Sequence, residues 1–403
     1  MLSMFFCLSL LSGVALAKPI AGLLFPVTGP YSAMGNDMRN GALLAIEEIN
    51  AKGGVLGKPI EVIIGDDELK ANIALRRYTE MVQGAGVKVI AGTLSGGISV
   101  AVNEWACKHK VLYMANCHTS MPLGSEFCGY GFVSGMIPYQ TGTAVAKYAF
   151  ENLGKTWMIL TQDYRYGYDQ FGAFMVNSER YGGKFKGNAY IPLGTVDFSV
   201  HIPKIAAIKP DILVLNIYGQ SLSAAIKQLA EMGLTKSGMK FVIPKSHVTT
   251  IVEAGTLYNE NFYGGHVFYW QMQDKYPNAK NFVETYWKKF GQPPSQDSDG
   301  GYTGTRALFE AMNKAGTTTD VQKLIKTLEG YSYQYNKGPE SFRACDHIRQ
   351  TSVAILRGKG EKADFKKWDL AEFIGEVPAE DTLESCENNA KDLPYGKVKL
   401  PGK

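Results

Sequence analysis

Ser95, Gly96 and Gly97 lie between the apolar run VKVIAG (87–92) and a helical pattern over 98–108. Unpaired backbone N–H groups at a helix start, with a hydroxyl beside them, suit a carboxylate or another small anion. The same residues also make an ordinary strand-to-helix turn with a serine cap. The next apolar run, VLYMAN (111–116), ends in Asn116 and is followed by Cys117, His118, Thr119 and Ser120. These side chains either give the same anion more donors or form a solvated loop. Two polar loops after consecutive strands favour the anion site. Aromatic residues add a second chemistry: Tyr164, Tyr166 and Tyr168 in QDYRYGYDQ (162–170), Tyr218, and Phe268-Tyr269-Trp270. Such rings either plug a core or stack on an organic ligand and hydrogen-bond to it.

Catalytic patterns do not form. There is no HExxH, no Walker A loop and no GxGxxG after the first apolar run, and GTLSG (92–96) is not a GxSxG elbow. Ser237 and Lys240 have SxxK spacing without the motifs that should follow. Cys107, His109, Cys117 and His118 match no standard zinc spacing. The expectation is a binding protein rather than an enzyme, with no cofactor and no metal.

The elements that must carry these loops alternate between strand and helix. IAGLLF (20–25), PIEVIIG (59–65), 87–92 and 111–116 form one series, with helices at 36–52, 70–83 and 98–108. TWMILTQ (156–162), 183–191, DILVLNIYG (211–219), KFVIP (240–244) and 263–270 form a second, with helices at 139–153, 169–181 and up to Met232. Continuously apolar strands at this spacing predict α/β lobes, each a doubly wound parallel sheet covered on both faces. Three helices over 278–329 arrive after the second series, which suggests a return to the first lobe, and the tail from 331 reads as short strands and loops. Ligands bind beyond the carboxyl ends of such strands. That rule selects the loops at 25–36, 93–98, 115–125, 162–167, 218–222 and 244–248.

The chain's 403 residues carry 42 Lys and Arg against 38 Asp and Glu. A near-balanced charge without a basic run gives no footprint for nucleic acid. Residues 1–17 form an apolar run closing on Ala15-Leu16-Ala17, a small-x-small cleavage pattern without a basic n-region. A signal peptide cleaved after Ala17 and a periplasmic protein are expected. Five cysteines remain beyond it: Cys107, Cys117, Cys128, Cys345 and Cys386. Cys345 with Cys386 and Cys117 with Cys128 are the expected disulfides, leaving Cys107 as a small buried hydrophobe.

The segment PVTGPYSAMGNDMRNGALLAIEEINAKGGVLGKPIEVIIGDDE (26–68) resembles the opening of periplasmic binding proteins for branched-chain amino acids. VIAGTLSGG, the strand-to-YG segment at 158–167, KPDILVLNIYG and the MGL at 232–234 extend the resemblance over most of the chain. It implies a type I periplasmic binding protein fold: two lobes joined by a three-stranded hinge, serving an ABC importer. The lobes would be 18–138 plus 271–342 and 139–270 plus 343–403. The resemblance also puts the carboxylate-binding turn on Ser95, Gly96 and Gly97, the next ligand loop on 117–120, the opening-loop cover on Met34 and the second-lobe tyrosine on Tyr166. The family's acidic partner for a ligand ammonium falls on Pro244-Lys245, so the charge is reversed. Lysine repels an ammonium and attracts a carboxylate or a polar oxygen. Asp163 is the candidate to replace the acid.

The expected ligand is therefore a small carboxylate-bearing molecule, with an aromatic or dicarboxylic acid ahead of an aliphatic amino acid, and urea or amides third. The expected partners are that ligand and the importer's permease subunits, with the protein itself a monomer. A ligand sensor that signals to a membrane partner is the alternative class.

Overall fold

The computed structural model describes residues 20–29, 31–116, 128–386 and 399–402. The first series builds β1 (Ala21–Phe25), α1 (Ser32–Ala51), β2 (Val62–Asp66), α2 (Ala71–Thr79), β3 (Val89–Gly92), α3 (Gly96–His109), β4 (Leu112–Ala115) and β5 (Gly131–Val133). Its five strands pair in parallel in the order β2-β1-β3-β4-β5. Every residue of β1, β3 and β4 is buried, as expected for strands covered by helices on both faces.

The second series builds α4 (Pro138–Asn152), β6 (Thr156–Gln162), α5 (Arg165–Tyr181), β7 (Lys184–Ile191), α6 (Ile202–Ile208), β8 (Ile212–Asn216), α7 (Gln220–Glu231), β9 (Lys240–Ile243), α8 (Val248–Ala254) and β10 (Phe262–His266). Three helices follow, α9 (Pro277–Phe290), α10 (Gln296–Ala315) and α11 (Val321–Leu328). β11 (Ser332–Tyr333), β12 (Glu340–Phe342) and β13 (Arg349–Gln350) form a separate antiparallel sheet. The tail then adds β14 (Val353–Gly358) and β15 (Ala371–Val377), giving the order β15-β14-β10-β9-β8-β6-β7. Strands β6 to β10 are parallel, and β14 and β15 form an antiparallel edge on them. The molecule is thus the expected pair of parallel-sheet α/β lobes.

α10 returns to the first lobe because glycines let it lie almost on α1. A Cβ on Gly41 would sit 2.0 Å from the Ser298 carbonyl oxygen, and one on Gly301 2.1 Å from that of Met38. This close approach fixes the first two turns of α10 beside the second and third turns of α1. The chain crosses between lobes before α4, after β10, and again at β13–β14. At the last crossing Arg349 is fully buried. It donates to Asp299 Oδ2 at 2.8 Å, to both oxygens of Glu340 at 2.9 Å and to the Ser134 carbonyl at 3.0 Å. Bidentate pairing is what makes a buried guanidinium tolerable.

Several local readings change. α1 begins at Ser32, a turn earlier than the pattern indicates, so Met34 is already helical. α5 begins at Arg165, which puts Tyr166 in its first turn. β5 lies in a stretch read as loop, too short at three residues to show a period. Cys345 and Cys386 are bonded as expected. Cys128, however, is bonded to Cys107, with Cα atoms 6.2 Å apart, so the Cys117–Cys128 pairing and the reading of Cys107 as a leftover hydrophobe are both wrong. Cys107 is only half-buried near the end of α3, where it meets the chain entering β5. Sequence nearness favoured Cys117, but a helix end and a strand start brought together by packing decide the bond. Cys117 itself and the 1–17 run lie outside the described residues.

Candidate functional site

In each lobe the strand order reverses once, opening a crevice where loops from adjacent strands diverge. In the first lobe the reversal falls between β1 and β3, whose following loops lead to α1 and α3. In the second it falls between β6 and β8, whose loops lead to α5 and α7. A cavity of about 110 Å³ lies where these loops meet, lined by Tyr31, Met34, Leu69, Leu94, Ser95, Gly96, Tyr164, Tyr166, Tyr218, Lys245 and His247. A cavity of this order holds a ligand the size of a single ring.

Ser95 is the residue before α3, and its hydroxyl makes no capping hydrogen bond. The turn is held by Gly92, at φ +117°, where a Cβ would sit 1.9 Å from the Leu24 carbonyl oxygen. The first N–H groups of α3 and the Ser95 hydroxyl thus sit at the cavity wall, an arrangement that favours an anion.

Three tyrosines form the opposite side. Tyr164 and Tyr166 are stacked with ring centroids 6.0 Å apart, and Tyr218 meets Tyr166 edge-on at 5.4 Å. The Tyr218 hydroxyl donates to Gln170 Oε1 and, at 3.0 Å, to Asn216 Oδ1, which fixes its ring. Burial pushes the phenols of Tyr31, Tyr164 and Tyr218 upward, so all three stay protonated at neutral pH.

The third side comes from the loop after β9. Lys245, 2% exposed, has its Nζ 3.5 Å from Asp297 Oδ1. His247 Nδ1 lies 3.2 Å from Asp297 Oδ2. Burial, reinforced by the Lys245 charge, holds His247 below its ordinary pKa and outweighs the pull of Asp297. Asp297 belongs to the first turn of α10, so it ties a second-lobe loop to a first-lobe helix. Gln296 does the same: its Nε2 donates to the Ser246 carbonyl at 2.6 Å, and its Oε1 accepts from the Val267 N–H at 3.3 Å.

Of the twelve residues singled out in the sequence, the fold brings Met34, Ser95, Gly96, Tyr166, Tyr218 and Lys245 to this cavity. Gly97 lies in the first turn of α3 and does not line it. Asn116 is buried, with Nδ2 donating to Ser134 Oγ at 2.8 Å and to the Gly300 carbonyl at 3.0 Å, so it ties the sheet to α10. Asp163 is exposed, accepts from the Tyr168 hydroxyl and does not line the cavity. His118, Thr119 and Ser120 lie outside the described residues. Tyr31, Leu69, Leu94 and His247 were not selected, and Tyr164 was named only as one of the aromatic residues of 162–170. All but Leu69 fall inside loops that the strand-end rule marks, and residue type alone did not separate them from core plugs and caps.

A two-lobed fold with a cavity between facing switch points is that of a type I solute-binding protein. The sequence profile of the periplasmic binding proteins matches residues 21–364, and the chain belongs to that family. It is a periplasmic solute-binding protein of an ABC transporter. It is 24% identical over 318 residues to the Leu/Ile/Val-binding protein BraC3 of Rhizobium johnstonii, covering 76% of this chain and 82% of that one. The amino acid ABC transporter substrate-binding protein of Pseudomonas fluorescens superposes with a TM-score of 0.84 at 24% identity, covering 93% of this chain and 99% of that one. A solute-binding protein of an ABC transporter from Rhodopseudomonas palustris, solved in complex with 3,4-dihydroxybenzoic acid, superposes with a TM-score of 0.78 at 26% identity, covering 89% and 97%.

Proposed function

We propose that this protein captures a small aromatic carboxylate in the periplasm and delivers it unaltered to the permease subunits of its importer. The observation that carries the reading is the charge of the cavity wall. Its described lining holds Lys245 and His247 and no acidic side chain. Against that wall a ligand ammonium would face a lysine whose own counter-charge, Asp297, lies behind it, a cost of several kcal/mol in a desolvated cleft. A carboxylate instead meets the start of α3 and the Ser95 hydroxyl, and a ring meets Tyr164, Tyr166 and Tyr218. The relative bound to dihydroxybenzoic acid supports the same ligand class. Within this reading the ligand residues are Met34, Ser95, Gly96, Tyr166, Tyr218 and Lys245, joined by Tyr31, Tyr164 and His247. The lobes are the expected 18–138 plus 271–342 and 139–270 plus 343–403 with the last boundary moved to the β13–β14 crossing, 1–17 is a signal peptide cleaved after Ala17, and the protein acts as a monomer.

Thermal-shift measurements against benzoates, dicarboxylates, leucine, valine and urea test it. Stabilisation by benzoates and none by leucine or valine is expected. Stabilisation by leucine or valine alone overturns the reading. Recovery of the unmodified acid from the protein by mass spectrometry is expected if there is no turnover.

A further inference from the structure

Behind the cavity lies a smaller chamber of about 20 Å³, lined in part by Met34 and His247, which also line the main cavity, and by Asp37, His266, Gln296 and Asp297. That volume holds one oxygen atom and little more. His266 ends β10 and is 0% exposed, yet among the described residues neither of its ring nitrogens has a hydrogen-bond partner. Buried polar atoms in native proteins are almost always paired, so two orphans on one side chain call for a partner.

The neighbours are already engaged. Gln296 uses its amide on Ser246 and Val267. Asp37 accepts from Ser295 Oγ at 2.7 Å and from Gln292 Nε2 at 2.8 Å. Burial holds His266 at a pKa of about 3, with the His247 and Lys245 charges acting in the same direction. The ring is therefore neutral at physiological pH, with one donor and one acceptor nitrogen.

We propose that this chamber is a subsite of the ligand cavity that takes one ring hydroxyl of the ligand, hydrogen-bonded to His266, so that the protein selects hydroxylated aromatic acids. The inference rests on the aromatic-carboxylate reading. A hydroxyl can donate to the bare nitrogen of a neutral imidazole or accept from its N–H, so it pairs with whichever His266 nitrogen faces the chamber, and its single heavy atom matches the chamber. A bare ring leaves His266 unpaired, and a methoxy oxygen cannot donate a hydrogen bond and adds a carbon to a chamber of about 20 Å³. Sites built to hydrogen-bond a hydroxyl reject the analogue that lacks it far more strongly than apolar pockets discriminate by size.

Titration calorimetry with benzoate, 3-hydroxybenzoate, 4-hydroxybenzoate and 4-methoxybenzoate tests the subsite. One hydroxybenzoate is expected to bind at least about tenfold tighter than benzoate, and the methoxy compound more weakly than that hydroxybenzoate. His266→Phe is expected to narrow the hydroxybenzoate-to-benzoate ratio to about threefold or less. Should that variant fail to fold, the imidazole ¹⁵N shifts of His266 in the unaltered protein serve instead: they must move with the preferred hydroxybenzoate and not with benzoate. Equal binding of benzoate and both hydroxybenzoates, as expected if the chamber holds only a permanent water, overturns the subsite alone. So does an unchanged ratio in His266→Phe. If none of the four acids binds, the aromatic-carboxylate reading fails and the subsite falls with it.

Discussion

Lys245 Nζ and Asp297 Oδ1 lie 3.5 Å apart, 2% and 3% exposed, joining the loop after β9 in one lobe to the first turn of α10 in the other. The pair faces the cavity with its cation, since Lys245 lines the wall and Asp297 does not. Asp297 thus lowers the cost of burying the lysine while lying off the main cavity wall, where it borders only the small chamber behind it.

Removing one partner of such a pair leaves an uncompensated buried charge. Lys245→Met is expected to cost about 3–5 kcal/mol in urea denaturation, and Lys245→Met/Asp297→Asn to recover much of it. In Lys245→Met the His247 pKa should rise, because one of the two influences holding it down is gone. An unchanged pKa by NMR titration would argue that the two side chains do not sense each other. Lys245→Glu should weaken an aromatic acid more than about tenfold, following the sign of the charge.

The Ser95 hydroxyl makes no cap hydrogen bond, so its loss separates binding from folding. Ser95→Ala is expected to weaken the carboxylate ligand about tenfold, the value of one hydrogen bond to a charged group. It should change stability by much less than the ~1 kcal/mol of a working serine cap. A large fall in unfolding free energy without a change in affinity would return Ser95 to an ordinary cap.

Asp37 makes stability depend on pH. Its carboxyl is raised to about 6, first by burial, with the Asp297 charge adding to it and the Ser295 hydrogen bond opposing. The folded state therefore holds a proton that the unfolded chain releases near 3.8. Its stabilising contribution is complete below pH 3.8 and is lost as pH rises through about 6. Asp37→Asn removes that loss, so its stability relative to wild type should rise between pH 4 and 7 by on the order of 3 kcal/mol. His266 runs in the opposite sense: with its pKa lowered to about 3, its contribution is complete above pH 6.5 and is lost as pH falls towards 3. Denaturant midpoints of wild type, Asp37→Asn and His266→Phe at pH 4, 5.5 and 7 separate the two.

Cys107–Cys128 closes a loop with a sequence separation of 21, for which the chain-entropy account gives about 3 kcal/mol. Non-reducing peptide mapping should recover a 107–128 cross-link. Cys107→Ser should lower stability by that order, and Cys117→Ser should not.

The two α/β lobes, the return of the 278–329 helices to the first lobe and the loops that border the cleft were legible in the chain. Apolar runs of strand length separated by helical periods are local signals, set by burial on two faces of a sheet. The turn at Ser95-Gly96 was legible for a similar reason, since it is a contiguous segment between a strand and a helix. Lys245 was visible as a reversed charge, but Asp297, 52 positions away, was not visible as its partner. Asp163 was the expected replacement for the family's acid, and its carboxylate turned instead to Tyr168. The pairing of Cys128 followed the same rule, with packing rather than nearness deciding it.

The sequence by itself determined most of the lobes' strands, the short β5 excepted, which loops would lie at their carboxyl ends, and that a lysine stood near a position where a relative's acid was expected. Only the tertiary structure decided that Tyr31, Tyr164 and His247 join that lysine at one cavity, and that His266, without a hydrogen-bond partner among the described residues, lies behind it. The physical reason is range. Strand and helix periods are written within about ten residues, whereas a site between two lobes depends on where helices such as α1 and α10 can touch, and two glycines 260 positions apart settle that contact.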